Sequence, residues 1–294
     1  PKYSFLGPIQ TFKARKDLPR ELYELDILDG SPPCSSFSMA GNREKDWGKE
    51  KKFREGQSNQ VLDTLFFDFI DLAKELQPKV VIAENVKGLL LGKAKKYVIE
   101  IYKAFENAGY YCQHWLLDAS KMGVPQKRER VFFICLRKDL AHPFLYQKDL
   151  FTQVPKLELN FNLSPIPFYR VYDGKGKKIT SHQMKAWQQR QYTDITIADS
   201  KKRAGMYYSD FNNVYLKHEK VSPTITGKGA SAMTLYEKPL RPSDTELKKI
   251  GTYPLDYEYE GSIGYLIGMS VPPVMTAQIA TQVNIQWLQQ LKLF

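Results

Sequence analysis

Cysteine is scarce in this chain. Its 294 residues include three, Cys34, Cys112 and Cys135, an odd and sparse set that argues against a disulfide framework. Cys112 and Cys135 sit in strand-like apolar surroundings and read as core. No Cys/His cluster has the spacing of a zinc site. No run approaches 18 apolar residues, so no membrane span is expected, and the sequence as given opens without the charged-then-apolar pattern of a leader. Internal repeats and low-complexity tracts are lacking too. What is abundant is positive charge: 43 Lys and Arg against 32 Asp and Glu, a formal +11. A surplus of this size calls for an acidic partner. Nucleic acid suits it, because neutralised phosphates release counterions, although a solvated lysine-rich surface would have the same composition. With 43% apolar residues, the chain can fill a core for one large domain and a smaller one.

The first half alternates strand-like and helix-like segments. Asp26–Asp29 and Val80–Ala83 are short apolar runs. Between them, Leu62, Leu65, Phe66, Phe69, Ile70, Leu72, Ala73 and Leu76 recur at helical spacing and stop before Pro78. Lys96–Ala108 predicts a second helix, stopped by Gly109. Tyr111–Leu117 and Arg130–Leu136 predict two more strands. Such alternation predicts an α/β fold with a mostly parallel sheet and helices on both faces. In sheets of that kind, function gathers beyond the carboxyl ends of the strands, where Cys34 and Glu84 lie. The regular alternation ends near His142. Residues 142–220 are rich in Tyr, Lys, Asn and Gln, with basic clusters at Lys175, Lys177 and Lys178 and at Lys201, Lys202 and Arg203. Aromatics interleaved with cations suit nucleic-acid contact.

Three short motifs carry the chemistry. Residues 26–38, Asp-Ile-Leu-Asp-Gly-Ser-Pro-Pro-Cys-Ser-Ser-Phe-Ser, end an apolar strand in a turn that presents Cys34. Residues 79–86, Lys-Val-Val-Ile-Ala-Glu-Asn-Val, end a second strand in Glu84-Asn85. Residues 124–134, Val-Pro-Gln-Lys-Arg-Glu-Arg-Val-Phe-Phe-Ile, carry Gln126, Arg128 and Arg130 into a third. Taken alone, the first segment could be a buried strand-end cysteine. The ordered set resembles the cytosine-5 DNA methyltransferase family, which has Pro-Cys, Glu-Asn-Val and Gln-x-Arg-x-Arg motifs in this order and at about these separations. The resemblance runs through nearly the whole chain from residue 26 onward.

That resemblance implies a Rossmann-like methyltransferase domain with a smaller, irregular, partly β target-recognition domain. Residues 1–150 would be catalytic and 151–255 would recognise the target, with 256–294 returning to the catalytic domain. It implies methyl transfer from S-adenosylmethionine to carbon 5 of cytosine in double-stranded DNA, on a base flipped out of the helix. Cys34 would supply the thiolate that adds to carbon 6. Glu84 would act at ring nitrogen 3 and the amino group, and Arg130 at the carbon-2 oxygen. Arg128 would brace Glu84 or the backbone. Ser38, Gln126, Thr224, Lys175, Lys177 and Lys178 would contact DNA. The polar loop 35–59 would act as a lid. The setting implied is the cytoplasm of a bacterial or phage-infected cell.

The sequence departs from the family at the donor site. The Phe-x-Gly-x-Gly turn that wraps the donor has no counterpart before Cys34. Pro8 stands where the family has Asp, and Met269 where it has Asn. The donor contacts still visible by resemblance are Ile9, Pro33, Ser270 and Val271. The chain is therefore expected to be amino-terminally incomplete, with a complementing segment or subunit as partner. Two other readings compete. One is the tRNA-methylating branch of the family, whose Cys-Phe-Thr signature is missing here, since no cysteine follows Cys135. The other is a non-catalytic DNA-binding subunit, which the missing donor turn favours and the intact Cys34, Glu84, Arg128 and Arg130 oppose.

Overall fold

A computed structural model describes residues 4–32, 50–51, 60–61, 64–149, 152–207, 213–227 and 232–293. In chain order the first elements are α1 (Ile9–Lys13), β1 (Ile27–Gly30), β2 (Glu50–Lys51), β3 (Gln60–Val61), α2 (Leu65–Leu76), β4 (Val80–Val86), α3 (Lys95–Asn107), β5 (Tyr110–Asp118) and β6 (Glu129–Arg137). Among the described residues, four strands form the main sheet in the order β1-β4-β6-β5, and β2 and β3 form a separate two-stranded pair. The α/β architecture is the one the alternation predicts, and observed boundaries fall within a few residues of the predicted ones. The sheet is mixed, however. β1 runs parallel to β4, but β4 and β6 are antiparallel. The segment between β5 and β6 spans only residues 119–128 and contains a single short 3-10 turn at Ala119–Lys121. It therefore lacks the crossover helix that returns a strand in parallel.

The central strand is apolar on both faces because both faces are covered. Val80, Val81, Ile82 and Ala83 are all buried, as are Phe132, Phe133, Ile134 and Cys135 of β6. On one face, Val81, Ala83, Val131, Phe133 and Cys135 pack against the apolar stripes of α2 and α3. Phe66 of α2 sits at the centre, its ring edge-on to Tyr97, Phe105 and Phe133 at centroid distances of 6.4, 6.5 and 5.5 Å. Deleting that ring would cost ~3–5 kcal/mol, combining lost transfer energy with an unfilled cavity. Helix α2 stops because Gln77 takes a left-handed conformation (φ 50°) as its cap, with Pro78 next.

The described residues divide into two compact units. The first comprises residues 1–117, 129–158 and 283–294, and the second residues 118–128 and 159–282. In the first unit, β7 (Leu145–Gln147) and β8 (Gln153–Pro155) form a small antiparallel pair. The last turns of the chain are pinned to the segment that follows: Trp287 Nε1 donates to the Lys156 carbonyl at 2.7 Å, and Gln286 exchanges hydrogen bonds with the Glu158 backbone.

The second unit is mostly irregular. Its strands β9 (Val214–Leu216) and β10 (Met233–Leu235) pair in parallel. Its helices are α4 (Ser181–Gln188), α5 (Ile197–Arg203), α6 (Asp244–Ile250), α7 (Ile263–Met269) and α8 (Pro273–Val283). Phe168, Leu216, Ile225, Met233, Leu247 and Ile267 contribute to its core. Helices α4 and α6 start at capping boxes, Thr180 with Gln183 and Ser243 with Glu246. Each box satisfies orphan N–H groups at a helix start. The predicted terminal helix over 274–293 is α8 followed by a wide turn, Asn284–Leu288, and a tight one, Gln290–Lys292. The run Ile263–Lys292 has the length and mean apolarity of a membrane span. It is broken at Ser270, where the backbone is extended, and Met275, Ile279 and Val283 are buried in protein.

Candidate active site

Three strand ends of the first unit meet. Parallel pairing sets Gly30, at the carboxyl end of β1, beside Ala83 of β4. Antiparallel pairing sets Arg130, near the amino end of β6, beside Val86 at the carboxyl end of β4. Glu84 and Arg130 therefore project from neighbouring strands on one face, away from α2 and α3. Arg130 Nε lies 2.9 Å from Glu84 Oε1, and their side chains are only 15% and 12% exposed. Water screens so enclosed a pair poorly, so the contact holds both side chains in place. Burial pulls the Arg130 guanidinium below its ordinary pKa, and the neighbouring Glu84 carboxylate works in the opposite direction. The guanidinium is further fixed by a 2.8 Å bond from Nη1 to the Glu129 carbonyl, while Glu129 takes its own ion pair with Lys87. Arg130 thus pairs with Glu84 and not with its sequence neighbour, as strand alternation requires.

Asn85 does something that sequence reasoning missed. Its Nδ2 donates to the Pro32 carbonyl at 3.2 Å, and its Oδ1 accepts from the Val86 backbone. The side chain thereby ties the chain leaving β1 to the end of β4. Gly30 allows that exit to run tight against α2: a Cβ there would lie 2.5 Å from the Phe69 ring. Cys34 follows Pro32 by two residues in sequence. Cys34, Pro33, Ser38 and nearly all of the predicted lid lie outside the described residues. Among the predicted donor contacts, Ile9 packs against the α2–α3 core of the first unit. Ser270 and Val271 belong to the second unit, where the Ser270 hydroxyl donates to the Ile267 carbonyl at 3.2 Å. Taken singly, Ile9 in the first unit and Val271 in the second are half-buried apolar residues of the kind an adenine ring packs on, the serine hydroxyl is already engaged, and no described member carries a charge to meet that of S-adenosylmethionine.

Gln126 and Arg128 belong to the second unit. Arg128 precedes β6, so it does not share a strand face with Arg130. Its guanidinium is 1% exposed and donates to three backbone carbonyls: Ile225 at 2.9 Å, Gly268 at 3.0 Å and Ser270 at 2.7 Å. Gln126 Oε1 accepts from the Ile225 N–H at 3.1 Å. Lys127 N donates to the Ser222 carbonyl, and the exposed Thr224 hydroxyl donates to the Lys127 carbonyl at 2.6 Å. Residues 126–128 and 222–225 are thus laced together.

Lys175, Lys177 and Lys178 are exposed, on a loop whose backbone is tied to the 239–241 segment through Arg241 N to the Lys177 carbonyl and Ile179 N to the Pro239 carbonyl. Some of the predicted interleaving of aromatics and cations is internal. Arg190 stacks 3.3 Å over Trp187, and Lys217 lies 4.9 Å over Tyr192. Among the described residues no cluster of His, Cys, Asp and Glu could hold a metal ion.

Comparison with known proteins bears on this geometry. The family model for C-5 cytosine-specific DNA methylases matches residues 6–284. The type II methyltransferase M.FnuDI of Fusobacterium nucleatum is 40% identical over 126 residues, covering 43% of this chain and 33% of that protein. M.NgoFVII of Neisseria gonorrhoeae is 27% identical over 277 residues, covering 88% of this chain and 70% of that protein. The match thus takes in about a third of the first relative and more than two thirds of the second. Among solved structures, a candidate DNA modification methyltransferase encoded in an Escherichia coli prophage superposes with a TM-score of 0.57 at 18% identity, covering 94% of this chain and 81% of its own. At that identity the likeness concerns the fold.

Proposed function

Because this chain belongs to the C-5 cytosine-specific DNA methylase family, matched over residues 6–284, we propose that it methylates carbon 5 of cytosine within a specific sequence of double-stranded DNA. The observation that carries this reading is the Glu84–Arg130 pair beside the strand exit that leads to Cys34. Carbon 5 of cytosine is a poor nucleophile until the ring is made electron-rich. The Cys34 thiolate forms a bond to carbon 6, and Glu84 delivers a proton to nitrogen 3, so the ring electrons collect as an enamine. Arg130 donates to the carbon-2 oxygen and offsets charge there. S-adenosylmethionine, when bound, supplies an electrophilic methyl group. Carbon 5 takes that methyl, leaving S-adenosylhomocysteine. Loss of the carbon-5 proton to a solvent base then expels the thiolate, nitrogen 3 returns its proton to Glu84, and the ring, Cys34 and Glu84 are all restored.

The base must leave the duplex for this, at a cost of a few kcal/mol. The second unit, with its exposed lysines, suits target recognition, and the basic surplus of the chain would steer DNA to it. Ile9, Pro33, Ser270 and Val271 would contribute to holding the donor. Relatives from bacteria support a modification role in the cytoplasm. Bisulfite sequencing of DNA from cells expressing the gene tests the reading directly. A single protected sequence context is expected, and unchanged conversion at every cytosine would refute it.

The lysine loop makes a separate expectation. Changing Lys175, Lys177 and Lys178 together to Gln should weaken DNA binding and flatten its salt dependence by about one unit of slope per lost phosphate contact. The loss should appear in affinity more than in the turnover rate at saturating DNA, because phosphate contacts position the protein without altering the chemistry. Binding isotherms at several salt concentrations would show it. An unchanged slope would mean that the loop faces solvent only.

A further inference from the structure

Arg128 joins two stretches of chain to which the reading above gives different ligands. One is Thr224–Ile225, whose Thr224 the family resemblance assigns to DNA. The other is Gly268–Val271, whose Ser270 and Val271 it assigns to the donor. The guanidinium spans them by donating to Ile225 O on one side and to Gly268 O and Ser270 O on the other. The two stretches also touch backbone to backbone. A Cβ at Gly268 would lie 2.2 Å from the Thr226 carbonyl oxygen, closer than any side chain permits. On the DNA side, the lacing by Gln126 and Lys127 leaves Thr224 little freedom of its own.

A planar, buried fork bonded to carbonyls on both sides fixes their separation, because its donors are rigidly arranged. We propose that Arg128 is a positioning residue that couples donor binding to DNA binding, by holding the Thr224–Ile225 and Gly268–Ser270 backbones in one fixed register. It does not touch the reacting atoms. Seating the donor against Ser270 and Val271 fixes the Gly268–Ser270 carbonyls, and through Arg128 it orders the stretch that meets DNA. By linkage, DNA must raise donor affinity by the same factor. The inference rests on the methyltransferase reading and is separable from it.

The test uses the protein expressed from its full gene, wild type or variant throughout, and measures DNA affinity by fluorescence anisotropy with and without saturating S-adenosylhomocysteine, and S-adenosylhomocysteine affinity by calorimetry with and without DNA. The duplex carries the sequence found by bisulfite analysis. For the wild-type chain a reciprocal enhancement of about tenfold is expected. Arg128→Lys keeps the charge, but an ammonium cannot span the three carbonyls, so the enhancement should fall below about twofold. A merely structural arginine would lower the melting temperature and leave the enhancement intact. Thr224→Val removes the hydroxyl tether to Lys127 together with any hydroxyl contact to DNA; basal DNA affinity should fall, and the enhancement, read as the ratio of affinities with and without S-adenosylhomocysteine, should drop by about half. It decides the matter if Arg128→Lys does not fold. The inference is overturned if the wild type shows no enhancement, or if the folded variants keep it in full. A wild-type chain that methylates but shows no enhancement overturns the coupling alone, whereas no methylation at all overturns the reading beneath it.

Discussion

Cys34→Ser should abolish methylation, a fall of at least ~10³-fold, because a serine hydroxyl stays protonated where a thiol gives up its proton. DNA containing 5-fluorocytosine sharpens the experiment. Fluorine at carbon 5 blocks the final loss of a proton, so the wild-type chain should remain covalently attached and migrate more slowly on a denaturing gel. Cys34→Ser should show no such band, while Cys112→Ser and Cys135→Ser should still form it. The structure explains why those two cannot substitute. Cys135 is fully buried in β6, where burial pushes its thiol well above the ordinary range. Cys112 lies on β5 beside it, not at the strand ends where Glu84 and Arg130 meet. A Cys34→Ser chain that methylates at the wild-type rate would remove the covalent step.

The second large effect concerns Glu84, and two substitutions there should part company. Glu84→Gln keeps an oxygen for the Arg130 Nε contact, so the chain should fold with nearly its original stability. It cannot hand a proton to nitrogen 3, however, and the rate should fall by ~10²–10⁴. Glu84→Ala loses the rate and also the partner of a largely enclosed guanidinium. Breaking such a pair from one side costs ~3–5 kcal/mol, so this variant should melt several degrees lower as well. Thermal denaturation alongside single-turnover rates separates the two. Equal melting temperatures for Gln and Ala would mean that the 2.9 Å contact contributes little to folding.

Much of this was legible in the chain before any coordinates. Val80–Ala83 could only be a buried strand, because four consecutive apolar residues bounded by Pro78 and Glu84 leave no solvent face. Helix α2 was legible from its stripe, and Phe66, Phe69, Ile70 and Ala73 are indeed its buried side. The direction of β6 was not legible. A strand buried on both faces has the same apolar pattern whichever way it runs, and only its pairing with β4 decides. Nor was the setting of Arg128 legible. Its partners lie 97, 140 and 142 residues away and are backbone carbonyls, which every residue type possesses. Asn85 is a similar case, since its amide meets the carbonyl of Pro32. Glu84 and Arg130 were each legible as residues at or near strand ends, but their contact was not: the sequence reading gave the bracing of Glu84 or the backbone to Arg128, whereas Arg130 pairs with Glu84.

The interleaving of the two units has a consequence for how the chain can be divided. The backbone passes from one unit to the other between residues 117 and 118, 128 and 129, 158 and 159, and 282 and 283. No single cut releases either unit as a continuous fragment. An exchange of recognition specificity between relatives, if it swapped only residues beyond 158, would leave Gln126, Lys127 and Arg128 behind, facing foreign carbonyls. Successful chimaeras should therefore carry residues 118–128 together with the later segment. Assembly faces the same geometry. The second unit cannot complete its core contacts around Arg128 until residues near 270 have left the ribosome, so during synthesis the turn between β5 and β6 must wait for more than a hundred residues of later chain.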